Sequence, residues 1–286
     1  MAFPFLLASS LLPKDSVWFI SMKSMAERRC AASLFLILAD SATVWFNVLM
    51  RKGYGQFCPI AKASEIFATR WTPLVLREMM ADIHSFNDIH RGVPLISRAV
   101  LVARLRDLED HGVIERRSRA DGTGHAYWLT PAGEALRPVV AALGLWGLAH
   151  TRDQIKATDL DPVLLTWGFR RRAMAHIGAL PDHRVVVRFE FSGVPASRTK
   201  FRVMWLLLER PDVDVCLKDP GYVVDLICRG NIADFVAVYL GHAVWRDMAG
   251  KAISIEGDRQ MARQLPAWLR LDKVPGRDFP VVRPAA

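Results

Sequence analysis

Arginines and small polar residues gather in two short stretches, and the chemistry open to them is phosphate binding and base reading. Between Ser97 and Asp110 an amphipathic run puts Leu101, Leu105 and Leu108 on one face. At 100° per residue, Ala99, Ala103, Arg106 and Asp110 lie opposite, while Arg98 and Arg104 flank the leucines. Small residues on an outer face let a helix sit deep in a major groove, where guanidiniums reach phosphates or guanine edges. Base reading by such a helix comes mostly from its N-terminal half. That selects Ser97, Arg98, Ala99 and Val102, with Arg104 and Arg106 as further contacts. The second stretch alternates like a strand over 113–117, turns through a polar tip over 118–124, and returns over 126–129. Its cationic candidates are Arg116, Arg117, Arg119 and His125. Neutralising several phosphates in this way makes affinity fall with salt. A solvated amphipathic helix shows the same face pattern on its own; the basic hairpin directly behind it favours a wing.

Other chemistries find little footing. There is no nucleophile–base pair, no glycine-rich phosphate loop and no histidine at metal-ligand spacing, so neither an enzyme, a cofactor nor a metal is expected. His84, His111 and His242 stand apart from plausible partners. Cys30, Cys58, Cys216 and Cys228 form no CxxC pair, which speaks against a disulfide scaffold or zinc and for a reducing cytoplasm. The net charge of +9 over 286 residues suits an anionic partner, although the excess is spread along the chain.

The basic face needs a scaffold, and the sequence supplies one. Pro59 opens a first helix, with Ile60, Ala63, Ile66 and Phe67 as its expected buried stripe. Trp71-Thr72-Pro73 restarts the chain into an apolar helix carrying Leu74, Val75, Leu76, Met79 and Met80. Ser85 caps a short helix, Asp88 standing three residues on and Phe86 and Ile89 facing inward. That helix is expected to end in a left-handed Gly92. Ser97 caps the longer helix, which stops at His111-Gly112. After the hairpin, Thr130-Pro131-Ala132-Gly133 begins a last helix through Leu136, Val139, Val140, Leu143 and Trp146.

The order and spacing of these pieces resemble the HxlR family of winged-helix regulators over about residues 58–147. The matching residues are Cys58-Pro59-Ile60-Ala61, Trp71, Phe86, Ile96-Ser97, Leu101, Arg104-Leu105, Leu108-Glu109, Gly112, Glu115-Arg116 and Leu129-Thr130-Pro131-Ala132-Gly133. The resemblance implies a homodimer built from the first and last helices of this domain, bound to a two-fold-related site on double-stranded DNA. Some family members sense oxidants through a cysteine at the place of Cys58, which makes a redox-sensing repressor one alternative.

Beyond residue 150 the pattern changes. A helix over 164–177 carries Arg170-Arg171-Arg172, a triplet expected on a solvated face. Strand-like runs follow over 184–191, 201–208, 213–218 and 222–228, with Asp219-Pro220-Gly221 as the turn between the last two. A helix over 232–240, a strand over 252–255 and a helix over 258–269 complete an α+β domain with an antiparallel sheet. Val224-Asp225-Leu226, Asn231-Ile232-Ala233-Asp234-Phe235 and residues 250–258 resemble the sterol-carrier-protein-2-like fold. That resemblance implies a tunnel for a hydrophobic small-molecule effector. Trp205, Leu207, Phe235, Tyr239 and Trp245 are the candidates to line it, and they serve equally well as plain core.

The expected organisation is an extension over 1–49, a winged helix-turn-helix over 50–150, the α+β domain over 151–274 and a tail over 275–286. The extension has three readings. It is a membrane anchor, against which Asp40 stands in the middle of the apolar run; an extra helix; or upstream sequence before a true start at Met50, the reading preferred here. A regulator of transcription is the leading function, and a lipid carrier with a vestigial helix-turn-helix is the alternative.

Overall fold

The computed structural model describes residues 53–119, 122 and 124–272. The extension over 1–49, the tail over 275–286 and residues 120, 121 and 123 of the hairpin tip lie outside them. The described residues divide into two units between Glu65 and Ile66. Helix α1 (Pro59–Phe67) runs across that division; it opens on its proline, and Lys62 pairs with Glu65 at 3.1 Å. Ala61, rather than the expected stripe, is its buried residue: Ile60 is 77% exposed and Ala63 is exposed too. Only the C-terminal half of the expected stripe is a core face: Ile66 and Phe67 are half-buried and pack against the hydrophobic core, while Ile60 and Ala63 point to solvent.

The second unit continues with helix α2 (Thr72–Met79), entered through Trp71 in a left-handed conformation. Val75, Leu76 and Met79 are buried in it. Helix α3 (Phe86–Gly92) is capped as its sequence predicts: Ser85 Oγ accepts from the Asp88 backbone at 3.1 Å and donates to the Asp88 carboxylate at 2.6 Å. Gly92 departs from expectation. It stays inside the helix and has no positive φ. Glycine is needed there because a Cβ would stand 2.2 Å from Glu78 Oε2 and 2.6 Å from the Trp167 indole nitrogen.

Helix α4 (Arg98–Asp110) starts at Ser97, whose hydroxyl accepts from Val100 N at 3.3 Å. It ends before Gly112, at φ +68. Strands β1 (Ile114–Ser118) and β2 (His125–Leu129) pair antiparallel, from Ile114 opposite Leu129 to Ser118 opposite His125. Thr130 then ties the hairpin down, its hydroxyl donating to Gly112 O at 2.6 Å while capping the short helix α5 (Pro131–Glu134). Helix α6 (Arg137–His150) buries Val140 and exposes Val139, Leu143 and Trp146.

Helix α7 (Pro162–Met174), capped by Asp161, packs on α3 on one side and on a five-stranded sheet on the other. The strands are β3 (Val185–Ser192), β4 (Val203–Glu209), β5 (Asp212–Cys216), β6 (Leu226–Asn231) and β7 (Ile253–Gly257), in spatial order β5-β4-β3-β6-β7. The sheet is mixed and not purely antiparallel, since β3 and β6 run parallel. The reason is topological. The chain leaves β5 at one edge and crosses to the far side of β3, so Asp219-Pro220-Gly221 lies in a crossover and not in a hairpin. Helices α8 (Ile232–Tyr239), α9 (Trp245–Met248) and α10 (Arg259–Trp268) complete the unit. The arginine triplet is held, against expectation. Arg170 bonds Val213 O, Arg171 reaches Glu78, and Arg172 lies over the Tyr239 ring and bonds its carbonyl. Among the described residues no helix is long and apolar enough to cross a membrane.

Candidate nucleic-acid interface

Leu101, Leu105 and Leu108 are all at most 1% exposed, which fixes the rotation of α4 about its axis. Burying each contributes about 1.5–3 kcal/mol. With that face pinned, Ser97, Arg98, Ala99, Val102, Ala103 and Arg106 are left on the surface. Arg98 is poised and not free: its guanidinium donates to Asn87 Oδ1 at 3.2 Å and lies 5.5 Å from the centre of the Phe86 ring. Those two partners sit on α3, so the first helix of the pair orients a side chain at the start of the second. Arg104 is half-buried and engages Asp107 at 3.1 Å. Arg106 is exposed and has no ion pair among the described residues.

On the hairpin, Arg116, Arg117, Arg119 and His125 are all exposed. Arg116 stands 3.7 Å from Glu109 of α4, while Arg117 pairs with Glu115 and covers Trp128 at 5.3 Å. Exposed pairs of this kind contribute little to stability and exchange readily for phosphate. The hairpin is also held from behind. His84 stacks on Trp128 with ring centroids 3.6 Å apart, and its Nδ1 lies 3.0 Å from Tyr127 O. Tyr127 N donates to His84 O at 2.9 Å. Helix and hairpin are therefore oriented by one scaffold, and the ten candidate residues divide into six on or just before α4 and four on the hairpin.

A second polar constellation escaped the sequence reading. Glu78 of α2 is fully buried, and its carboxylate receives Arg171 Nη1 at 2.9 Å, Trp167 Nε1 at 3.0 Å and Arg77 Nε at 2.9 Å. Arg77 also donates to Gly92 O at 3.0 Å, closing the cluster onto α3. Burial alone pushes the Glu78 carboxyl up, but Arg171 and Arg77 outweigh it and hold it below the ordinary glutamate value. The signal that could have found it is an acid beside Val75, Leu76 and Met79, the only charged residue on the helix's buried side.

The five residues proposed to line one lipid tunnel are not brought together. Alternation along β4 places Trp205 and Leu207 on the sheet face opposite Met204 and Leu206. Phe235 packs edge-on against Phe189 and Phe191, on the other face. Tyr239 lies against Phe169, also on the helix-covered side, and Trp245 is buried. The sheet itself separates the two sets. Cys58 is half-buried and in no disulfide; Cys228 is buried, which pushes its thiol up to about 12. Among the described residues no group of three or more potential ligands gathers for a metal.

The family described as HxlR-like helix-turn-helix matches residues 66–155. The chain is 31% identical over 93 residues to the HTH-type transcriptional regulator YvaP of Bacillus subtilis, a match spanning 32% of this chain and 86% of that protein. It is also 31% identical over 94 residues to the HTH-type transcriptional regulator YtfH of Escherichia coli, covering 32% of this chain and 75% of the relative. Among solved structures, the reduced form of the transcriptional regulator YodB from Bacillus subtilis is 27% identical, covering 34% of this chain and 98% of that one with a TM-score of 0.30. The family match ends at residue 155, before the sheet.

Proposed function

The chain belongs to the HxlR-like helix-turn-helix family of transcriptional regulators, and on that premise we propose that it binds a two-fold-related operator as a homodimer, with α4 in the major groove and the hairpin on the flanking backbone. The observation that carries this reading is the exposed start of α4. Ser97, Arg98, Ala99 and Val102 face solvent on a helix whose opposite side is locked by three buried leucines. A rigid helix with small residues at its tip fits a groove about 12 Å wide. Arg104, Arg106, Arg116, Arg117, Arg119 and His125 supply phosphate contacts around it. The exposed Ile60 of α1 and the Leu143 and Trp146 pair of α6 supply apolar surface for a second copy, as expected of a dimer built from these helices.

The sheet and its helices act in this reading as a module that biases the DNA-binding part. The run β5, β6, α8, β7, α10 supports a sterol-carrier-protein-2-like organisation for it. Glu78 gives such a module a mechanical route to α2 and α3, since both Arg171 and Trp167 come from α7. An effector changes operator affinity only through a difference in its affinity for two conformations. The carrier alternative is weakened by the separation of Trp205 and Leu207 from Phe235.

The test is a mobility shift of the full chain on the DNA upstream of its own reading frame. Binding is expected with a steep salt dependence, and Arg98→Ala with Arg104→Ala should lower affinity at least about tenfold with little change in melting temperature. Unchanged affinity in that double variant refutes the placement of α4.

A further inference from the structure

The sheet face turned away from α7 and α8 carries a groove of about 600 Å³ that none of the preceding argument uses. A volume of that order suits a small organic molecule. Strand alternation sends Arg188, Glu190 and Ser192 of β3 into it. The register sets Val203 of β4 on one side of Glu190 and Arg229 of β6 on the other. Arg202 stands exposed at the rim.

The polar groups of this groove are only partly matched to one another. Arg229 Nε meets Glu190 Oε2 at 2.6 Å, and its other end pairs with Glu256. Arg188 Nη2 lies 2.6 Å from Glu190 Oε1, but without the alignment of a hydrogen bond. Two polar atoms of the groove are left buried with no hydrogen-bond partner, Arg188 Nε and Glu190 Oε1. Arg202 has no ion pair among the described residues. Three guanidiniums thus face two carboxylates, and the surplus is one positive charge, one buried N–H donor and one buried acceptor. Buried polar atoms rarely go unpaired, because each lost hydrogen bond to water must be replaced. An ordered water bridging Arg188 Nε and Glu190 Oε1 would meet part of this need. It would leave the Arg202 charge unanswered.

We propose that this groove binds a small hydroxylated organic acid, its carboxylate on Arg202 and Arg188 Nε, its hydroxyl donating to Glu190 Oε1, and its apolar body over Val203. The carboxylate answers the surplus charge and the hydroxyl answers the orphaned acceptor; a plain anion answers only the first. Charge-assisted contacts at both ends orient the ligand. The inference concerns the sheet alone and does not rest on operator binding, so the two can fail separately.

Calorimetric titration of the full chain tests it with four probes: mandelate, phenylacetate, mandelamide and inorganic phosphate. Mandelate is expected to saturate near or below about 1 mM. Phenylacetate, lacking the hydroxyl, should bind about fivefold more weakly, and mandelamide, lacking the charge, should give no saturable heat. Arg202→Ala should weaken mandelate about tenfold. Glu190→Ala, which removes the acceptor, should abolish the preference for mandelate over phenylacetate, with thermal melting confirming that the variant is folded. The proposal is overturned if neither carboxylate saturates by about 10 mM, which is the outcome a water-filled groove gives. It is equally overturned if mandelamide matches mandelate, if Arg202→Ala binds as the parent does, or if phosphate binds as tightly as mandelate.

Discussion

The arginines of α4 and the hairpin and the arginines around Glu78 are the same residue type put to opposite uses. Arg98, Arg116 and Arg117 lie at the surface on partners they can exchange: an amide oxygen, a carboxylate 3.7 Å away, a neighbouring glutamate. Arg171 is largely buried, and with Arg77 it surrounds a carboxylate that has no access to water. Guanidinium chemistry does not distinguish the two sets; solvent does. An exposed pair contributes about 0–1 kcal/mol, so breaking it to bind phosphate costs little. A buried pair, once one partner is removed, strands a charge in the interior. The surface set is thus free to be spent on a ligand, and the interior set fixes the geometry in which the surface set is presented.

The sharpest way to break this comparison is to remove the interior carboxylate. Glu78→Ala should destabilise the folded chain by about 3–5 kcal/mol, because Arg171, Arg77 and the Trp167 indole lose their common acceptor. Urea unfolding measures it. Glu78→Gln keeps an acceptor and should lose less. If Glu78→Ala falls within about 1 kcal/mol of the parent, the cluster behaves like a surface pair and the contrast disappears.

A smaller effect is expected at Gly92, where two terms oppose. Alanine in a helix gains about 0.5–1 kcal/mol over glycine. Its Cβ, however, would stand 2.2 Å from a Glu78 oxygen that Arg171 and Trp167 hold in place. Overpacking of that kind costs about 1–3 kcal/mol. Gly92→Ala should therefore lower stability by about 1–2 kcal/mol in the same urea experiment, and a stabilised variant would show that the Glu78 side chain yields.

The contrast also explains what could be read beforehand. The caps Ser85 and Ser97 and the inward leucines of α4 were legible, because each is decided within four residues of sequence. The hairpin was legible to within about a residue: 113–117 and 126–129 were expected, and Ile114–Ser118 and His125–Leu129 are found. Glu78 was not, since Arg171, its partner, lies 93 positions away. The same distance effect hid the fate of the arginine triplet and the parallel pairing of β3 with β6. Gly92 was misassigned as a left-handed terminator because its need for glycine is a tertiary contact and not a local turn. The lipid-tunnel residues failed for another reason: apolar character does not reveal which face of a sheet a residue occupies until strand register is known. For the interface, the sequence could place side chains on a helix face but not reveal that Phe86 and Asn87 preorganise Arg98.

Ser97 joins the two regimes on one residue. Its hydroxyl caps α4, and its position makes it a candidate base contact. Ser97→Ala should cost about 1 kcal/mol of stability through the lost cap. If the side chain also touches DNA, operator affinity should fall further than Ser97→Asp or Ser97→Asn, which retain a capping acceptor, can account for by stability alone. Equal operator affinity for Ser97→Ala and the parent confines the residue to capping.

The smallest expected effect belongs to His84, which stands between exposed and buried groups. Burial against the hairpin lowers its pKa below the ordinary histidine value, and Arg117 adds to this; the Tyr127 carbonyl and Asp82 oppose it. In the unfolded chain the imidazole titrates near about 6.5. As pH falls through that value, the unfolded state takes up its proton first, so the folded state loses ground. Stability from the neutral, stacked imidazole is thus complete above the unfolded pKa and declines toward the folded one. Melting temperature should drop between about pH 7.5 and about pH 5.5, and His84→Phe should flatten the part of that drop due to this ring while keeping an aromatic face on Trp128. His242 is lowered as well, chiefly by burial, so the informative quantity is the difference in slope between variant and parent. Parallel slopes would mean that the proton reaches His84 without disturbing the stack, and that this ring belongs with the exchangeable surface groups and not with the interior.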